Sequence, residues 1–259
     1  MKPHRQASPN FLEQLILRIA LAVEYDGSEY HGWQAQPGLK TIQHHLEQAL
    51  SRVGNEPITV TCAGRTDTGV HALGQIVHFD TTSLRSHRAW IHGTNAFLPK
   101  EICVKWAKDM PENFHARYSA TARRYRYVIC NTPIRPSLLR RQVTWHYRAL
   151  NHELMHQAAQ CLIGEHDFTS FRSVECQSLS PMRRMDSIEV TRAGDKVMID
   201  ITANAFLHHM VRNIVGTLVY VGLGKFQPTQ VLQILHSKNR TKAGPTAPAC
   251  GLYFLSAKY

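Results

Sequence analysis

Gly64-Arg65-Thr66-Asp67-Thr68-Gly69-Val70-His71-Ala72 sets one acid beside one arginine in a short stretch that holds two glycines. Ile58–Cys62 ahead of it is β-branched enough to read as a strand, and Gln75–Phe79 behind it alternates polar and apolar, so the stretch reads as a loop between strands. Gly64 and Gly69 permit backbone angles closed to other residues, and a short carboxylate can then be aimed outward from a rigid strand end. Asp67 is therefore a candidate nucleophile or base. Arg65 lies two positions earlier; in extended backbone the two share a face, and the guanidinium could hold the acid in its charged form. A hydrogen-bonded loop aspartate in a surface ion pair is the alternative these residues leave open.

Other patterns point to chemistry less well. Asp67-Thr68-Gly69 matches the aspartic-protease tripeptide, but that reaction needs two carboxylates sharing a proton; one copy is present, and an adjacent arginine opposes the shared proton. His152-Glu153-Leu154-Met155-His156 fits a zinc pattern on a helix, yet it lacks a third ligand, and Asn151 would cap the helix so that the pentapeptide forms an exposed first turn. Gly224-Lys225 lacks the spacing and the Ser or Thr of a phosphate loop. His208-His209-Met210-Val211-Arg212-Asn213 places a basic cluster at the front of an apolar helix, where Arg212 faces solvent or a cleft. Gly244-Pro245-Thr246-Ala247-Pro248 is a rigid, uncharged segment suited to a wall or lid.

The elements that must position these groups are mixed. Strands are expected at Leu15–Tyr25, Ile102–Ala107, Arg123–Cys130, Gln142–Tyr147 and Leu252–Leu255, with a hairpin of Arg184–Val190 on Val197–Thr202. Helices are expected from Thr41 to Val53, Ser86 to Phe97, His152 to Ile163, Phe206 to Val221 and Gln227 to His236. Tyr30-His31-Gly32-Trp33-Gln34 is a polar-aromatic loop that could line a site. Asp109–Glu112 is polar and carries a proline, which places a boundary near residues 109–118. The expected organisation is a tail over residues 1–12, a half over 13–112 carrying Asp67, and a half over 113–259. The fold class is α+β (α/β-type): two similar halves with mixed, largely antiparallel sheets forming a central sheet flanked by helices, the active-site cleft between them.

Charge narrows the partner. Thirty Lys plus Arg against 19 Asp plus Glu give +11, and arginines outnumber lysines 20 to 10. From Phe114 to His152 there is no acid, while Arg117, Arg123, Arg124, Arg126, Arg135, Arg140, Arg141 and Arg148 interleave with Tyr118, Tyr125, Tyr127, Trp145 and Tyr147. Arginine with aromatics is the composition that grips phosphates and unpaired bases, so an RNA partner is expected. Six scattered cysteines without a CxxC pair suit reduced thiols in a cytosolic protein, and no apolar run reaches membrane-spanning length.

Ala63–Ala72 resembles the active-site motif of the tRNA pseudouridine synthase A (TruA) family. Further matching stretches are Tyr25-Asp26-Gly27 with Gly32-Trp33-Gln34, Arg123–Tyr127, His166–Phe171, Met210–Asn213, and Ala243–Pro248 with Gly251-Leu252-Tyr253. The resemblance spans nearly the whole chain. It implies isomerisation of uridine to pseudouridine in the tRNA anticodon stem-loop, at positions 38, 39 and 40, by a cytoplasmic homodimer without cofactor or metal. It places the nucleophile on Asp67, its pairing arginines on Arg65 and Arg212, and a base-stacking tyrosine on Tyr125. Arg123, Arg124, Arg126 and His71 are expected to bind substrate. A non-catalytic tRNA-binding module and an aspartate-dependent hydrolase are the competing classes.

Overall fold

Leu17–Tyr25, apolar on both sides from Ile19 to Val23, forms the central strand β1 of the N-terminal half, in a computed structural model that describes residues 16–259. The tail expected over residues 1–12 lies outside the described residues. After β1 come α1 (Ile42–Gly54), β2 (Thr61–Cys62), β3 (His71–Thr81), α2 (Thr94–Phe97) and β4 (Ile102–Met110). The chain continues with β5 (Ala122–Cys130), β6 (Thr144–Trp145), α3 (His152–Ala159), β7 (Gly164–Asp167), β8 (Met182–Ala193) and β9 (Lys196–Ala203). It closes with α4 (Met210–Gly222), α5 (Gln230–Ser237) and β10 (Leu252–Lys258).

The strands make one ten-stranded sheet in the order β4-β1-β3-β10-β5-β9-β8-β7, with β2 on β3 and β6 on β5. Pairing is antiparallel except for β10 on β3 and β6 on β5. Strand β10, from the end of the chain, fills the place between β3 and β5, where Tyr253 faces His71 on one side and Arg126 on the other. The expected mixed, largely antiparallel central sheet with flanking helices is the observed fold.

Several elements differ from their sequence pattern for identifiable reasons. Ser86–Phe97 is helical, but Ala89–Gly93 widens into a π-turn where fully buried Trp90 packs on Phe79 with ring centroids 5.1 Å apart. The helix expected from Phe206 begins only at Met210, because His209 takes a left-handed backbone (φ 60°) and turns the chain; Phe206 packs instead on Tyr125. The expected strands Ile58–Cys62 and Gln142–Tyr147 shrink to the two-residue ladders β2 and β6. Asn151 does cap α3, its side-chain oxygen accepting the Leu154 N–H at 3.0 Å. Helix α4 is buried on most of its surface and packs with α3 behind β8, so its first turn has a fixed position.

One irregularity sorts residues between the sheet faces. Opposite β1, Val23 faces Gln75 while Tyr25 faces Ala72, so β3 carries one extra residue between them. Gln75 and Ala72 therefore lie on one face of β3, and His71 on the other.

Candidate active site

The Asp67 loop is held along its whole length. The Ala63 N–H donates to Ile76 O at 2.8 Å, and the Gln75 side chain brackets Gly64, donating to its carbonyl at 2.6 Å and accepting its N–H at 3.3 Å. Thr66 is buried: its carbonyl accepts the Trp33 N–H at 3.0 Å, and its hydroxyl lies 2.7 Å from the Tyr25 hydroxyl. The loop closes with the Val70 N–H donating to Asp67 O at 3.1 Å, a turn that Gly69 permits with φ 77°. Gly64 is not left-handed; its Cα faces the ring of Phe254 and the Tyr125 hydroxyl. The aromatic loop at Tyr30–Gln34 supports this cradle from beneath, with Tyr30 and Trp33 each 1% exposed.

Asp67 projects from this cradle, half-buried, toward the start of α4. Arg212 Nη1 donates to its Oδ2 at 3.2 Å. His209 Nε2 lies 3.2 Å from the same oxygen and His208 Nε2 3.3 Å from Oδ1. Arg212 is itself fixed, its Nε donating to Ala247 O at 2.8 Å and its carbonyl accepting the Ala247 N–H at 3.0 Å. That ties the cleft to the Gly244–Pro248 segment. The segment lies hard against α4, where a Cβ on Gly216 would sit 1.7 Å from Pro245 O. Arg240 anchors it further, donating to Gly244 O at 2.9 Å and to Thr246 Oγ1 at 3.0 Å. Burial, with His208 and Arg212 beside it, pushes the His209 imidazole below its usual value against the raising effect of Asp67.

Tyr125 closes the floor. It is 8% exposed and packs edge-to-face with Phe206 and Phe254, at 5.0 and 5.1 Å. Burial, then the negative charges around it, raise its phenol above the ordinary range, so the hydroxyl keeps its proton. Asp67, Arg212 and Tyr125 are thus brought to one place.

The other expected site residues go elsewhere. Arg65 is exposed and, among the described residues, makes no ion pair with Asp67; Arg212 takes the expected position. Arg123 is locked inward, donating to the carbonyls of Ala120 at 2.9 Å, Asn204 at 2.8 Å and Ala63 at 3.3 Å, and also to that of Arg117. Arg124 and Arg126 alternate with Tyr125 onto the opposite sheet face, where Asp200 receives Arg126 at 2.9 and 2.8 Å and Arg124 at 3.7 Å. His71 is 2% exposed on the face away from Gln75, under Tyr253 at 4.8 Å, with Nδ1 accepting the Gly27 N–H at 3.1 Å and Nε2 3.0 Å from Arg141 O. Arg123, Arg126 and His71 are tied into the frame, while the Arg124 side chain stays half-exposed.

His208 and His209 were the residues the sequence left unassigned. The one available signal was their place just before Arg212. With Asp67 they bring three metal-competent donor atoms within 4.8 Å of one another. Farther out, Arg135, Arg140 and Trp145 line a cavity of about 240 Å³ together with Cys250 and Pro248, the last residue of the Gly244–Pro248 segment.

A family model described as tRNA pseudouridine synthase matches residues 21–119 and 158–259. A protein of Legionella pneumophila (strain Lens) named tRNA pseudouridine synthase A is 64% identical over 94% of this chain and 93% of its own length. Proteins of the same name from Cronobacter sakazakii and Escherichia coli (strain K12 / DH10B) are each 56% identical, over 96% and 94% of this chain and 92% and 90% of theirs.

Proposed function

Because this chain belongs to the tRNA pseudouridine synthase family, we propose that Asp67 is the carboxylate that acts on the ribose of the target uridine, with Arg212 as its charge partner. The chain is an isomerase acting on tRNA. The reaction breaks the C1′–N1 bond, turns the base and joins C1′ to C5; C5 loses a proton and N1 gains one, with no net redox change. What such chemistry needs is a positioned carboxylate and a closed floor that keeps the detached base in place. The observation that carries this reading is Arg212 Nη1 at 3.2 Å from Asp67 Oδ2, joining the loop after β2 to the first turn of α4 at a half-buried opening.

Two routes use the same carboxylate: attack on C1′, which forms and later releases an ester-like bond to Asp67, or removal of the C2′ proton to give a glycal. In both, the uridine must leave its stack, a cost of about a few kcal/mol. Tyr125, beside Gly64 and packed on Phe206 and Phe254, serves as the surface on which the base stacks. The reading extends to positions 38, 39 and 40 of the anticodon stem-loop and to a cytoplasmic homodimer, both taken from the family resemblance.

The test is Asp67→Asn, with Asp67→Ala beside it, on tRNA labelled afterwards with a carbodiimide and read by mass spectrometry. Pseudouridine formation is expected to fall by ~10⁴-fold or more while tRNA binding persists. Retained activity removes Asp67 from its role. An unmodified tRNA with the unaltered protein favours the binding-module class.

A further inference from the structure

We propose that the Asp67, His208 and His209 side chains form a reversible inhibitory site for zinc(II), one that blocks the cleft by taking the reacting carboxylate as a ligand. The three donors lie within 4.8 Å of one another. A tetrahedral zinc with bonds of about 2.0–2.1 Å to nitrogen and oxygen sets its ligand atoms about 3.3 Å apart. His208 Nε2 stands 3.3 Å from Oδ1 and His209 Nε2 3.2 Å from Oδ2, so whichever oxygen ligates meets that edge length with one ring, and the other ring closes in from within 4.8 Å. Both imidazoles present Nε2 to Asp67, and the two rings lie 3.9 Å apart between centroids, so they approach from one side. Three protein ligands leave a fourth position for water, the open arrangement of an exchangeable site.

Two features set the strength. Among the described residues neither ring has a hydrogen-bond partner on Nδ1, whereas a resident zinc site secures that nitrogen on a carbonyl or carboxylate and gains about 10–100-fold in affinity by doing so. Arg212 competes for Oδ2 at 3.2 Å, and its guanidinium must give way when the metal enters. The site therefore takes zinc reversibly, and Arg212 is the residue that holds it open for catalysis. The inhibition rests on Asp67 being the reacting group; the binding does not, and the two are measured separately.

Binding is read by titrating the full-length protein with zinc(II) against a chromophoric chelator, with no tRNA present. One equivalent is expected to bind, at least about tenfold more weakly in His208→Gln and in His209→Gln. His152→Gln, in the HExxH-like turn of α3, is expected to change nothing, and Arg212→Gln to bind zinc more tightly. Thermal melts establish that each variant is folded. Cobalt(II) added to the unaltered protein needs no variant and is expected to give the intense ligand-field absorption of a four-coordinate ion. Pseudouridine formation in the unaltered protein is expected to fall as the zinc equivalent fills and to recover with EDTA. No bound equivalent, zinc retained in both histidine variants, or a six-coordinate cobalt spectrum overturns the proposal. Zinc bound through these histidines with activity unaffected keeps the metal site and instead removes Asp67 from the reaction.

Discussion

Arg123 and Arg126 stand three positions apart on β5 and act on different parts of the molecule. Arg126 meets Asp200 on an accessible sheet face, a pair of the kind worth roughly 0–1 kcal/mol. Arg123 turns inward and satisfies carbonyls from residues 63, 117, 120 and 204, so it fastens the chain just ahead of Gly64 to β5 and to the end of β9. Arg123→Ala strands those carbonyls and is expected to cost at least about 2 kcal/mol in urea unfolding, with Arg126→Ala below about 1. Equal losses in the two variants would contradict the assignment. Arg123→Lys is not expected to rescue, since one ammonium cannot reach carbonyls that a planar five-donor fork spans. This difference was not legible in a run of arginines, because strand alternation and the partner of each side chain are settled by tertiary placement. Asp67 was legible because its loop is local. The Arg65 pairing does not form, because i, i+2 spacing settles at most a shared side of the backbone and not a contact, and Arg212, His208 and His209 already surround the carboxylate. His208 and His209 were hidden by a left-handed residue inside a helical apolar pattern.

At the scale of elements, the cleft is a junction of three: the loop after β2, the first turn of α4 and the segment from Gly244 to Pro248. Each was recognisable alone. What the sequence could not supply was their contact, since Arg212 and Asp67 are 145 residues apart. The glycines carry the junction's tolerances. Gly216 on α4 meets Pro245 O where a Cβ would lie at 1.7 Å, and Gly244 packs its own Cα against the Gly216 carbonyl. Gly216→Ala must push the segment off the helix, and overpacking of this kind typically costs about 1–3 kcal/mol. Ala247 moves with the segment, and Ala247 holds Arg212. The expected outcome is a destabilisation in that range together with a larger fractional loss of turnover than of tRNA affinity. Stability falling with turnover intact would detach Arg212 positioning from the Gly244–Pro248 segment. The same long-range character explains β10: its strand pattern was plain, but its parallel place beside β3 depends on the whole sheet being assembled.

Across the whole molecule, the +11 charge is distributed between frame and surface. In the acid-free window, Arg123 is spent on carbonyls, Arg124 and Arg126 on Asp200, and Arg141 on Glu29 at 2.5 Å. Arg117, Arg135, Arg140 and Arg148 remain exposed and without an ion-pair partner among the described residues; Arg117 and Arg148 lie over the rings of Tyr118 and Tyr147, at 5.5 and 5.4 Å. Arg135 and Arg140 share their cavity with Pro248, the end of the segment that holds Arg212. If these four each neutralise one phosphate, the logarithm of tRNA affinity falls with the logarithm of salt at a slope of about −3, and raising salt from about 50 to 200 mM weakens binding roughly 50- to 150-fold. Removing two of them in Arg135→Ala/Arg140→Ala is expected to flatten the slope by about 1.4 to 1.8 and to leave turnover at saturating tRNA unchanged. Filter binding across a salt series measures the slope. A slope equal to that of the unaltered protein would move the RNA path off this surface, and a lower turnover at saturation would place the pair's effect inside the cleft.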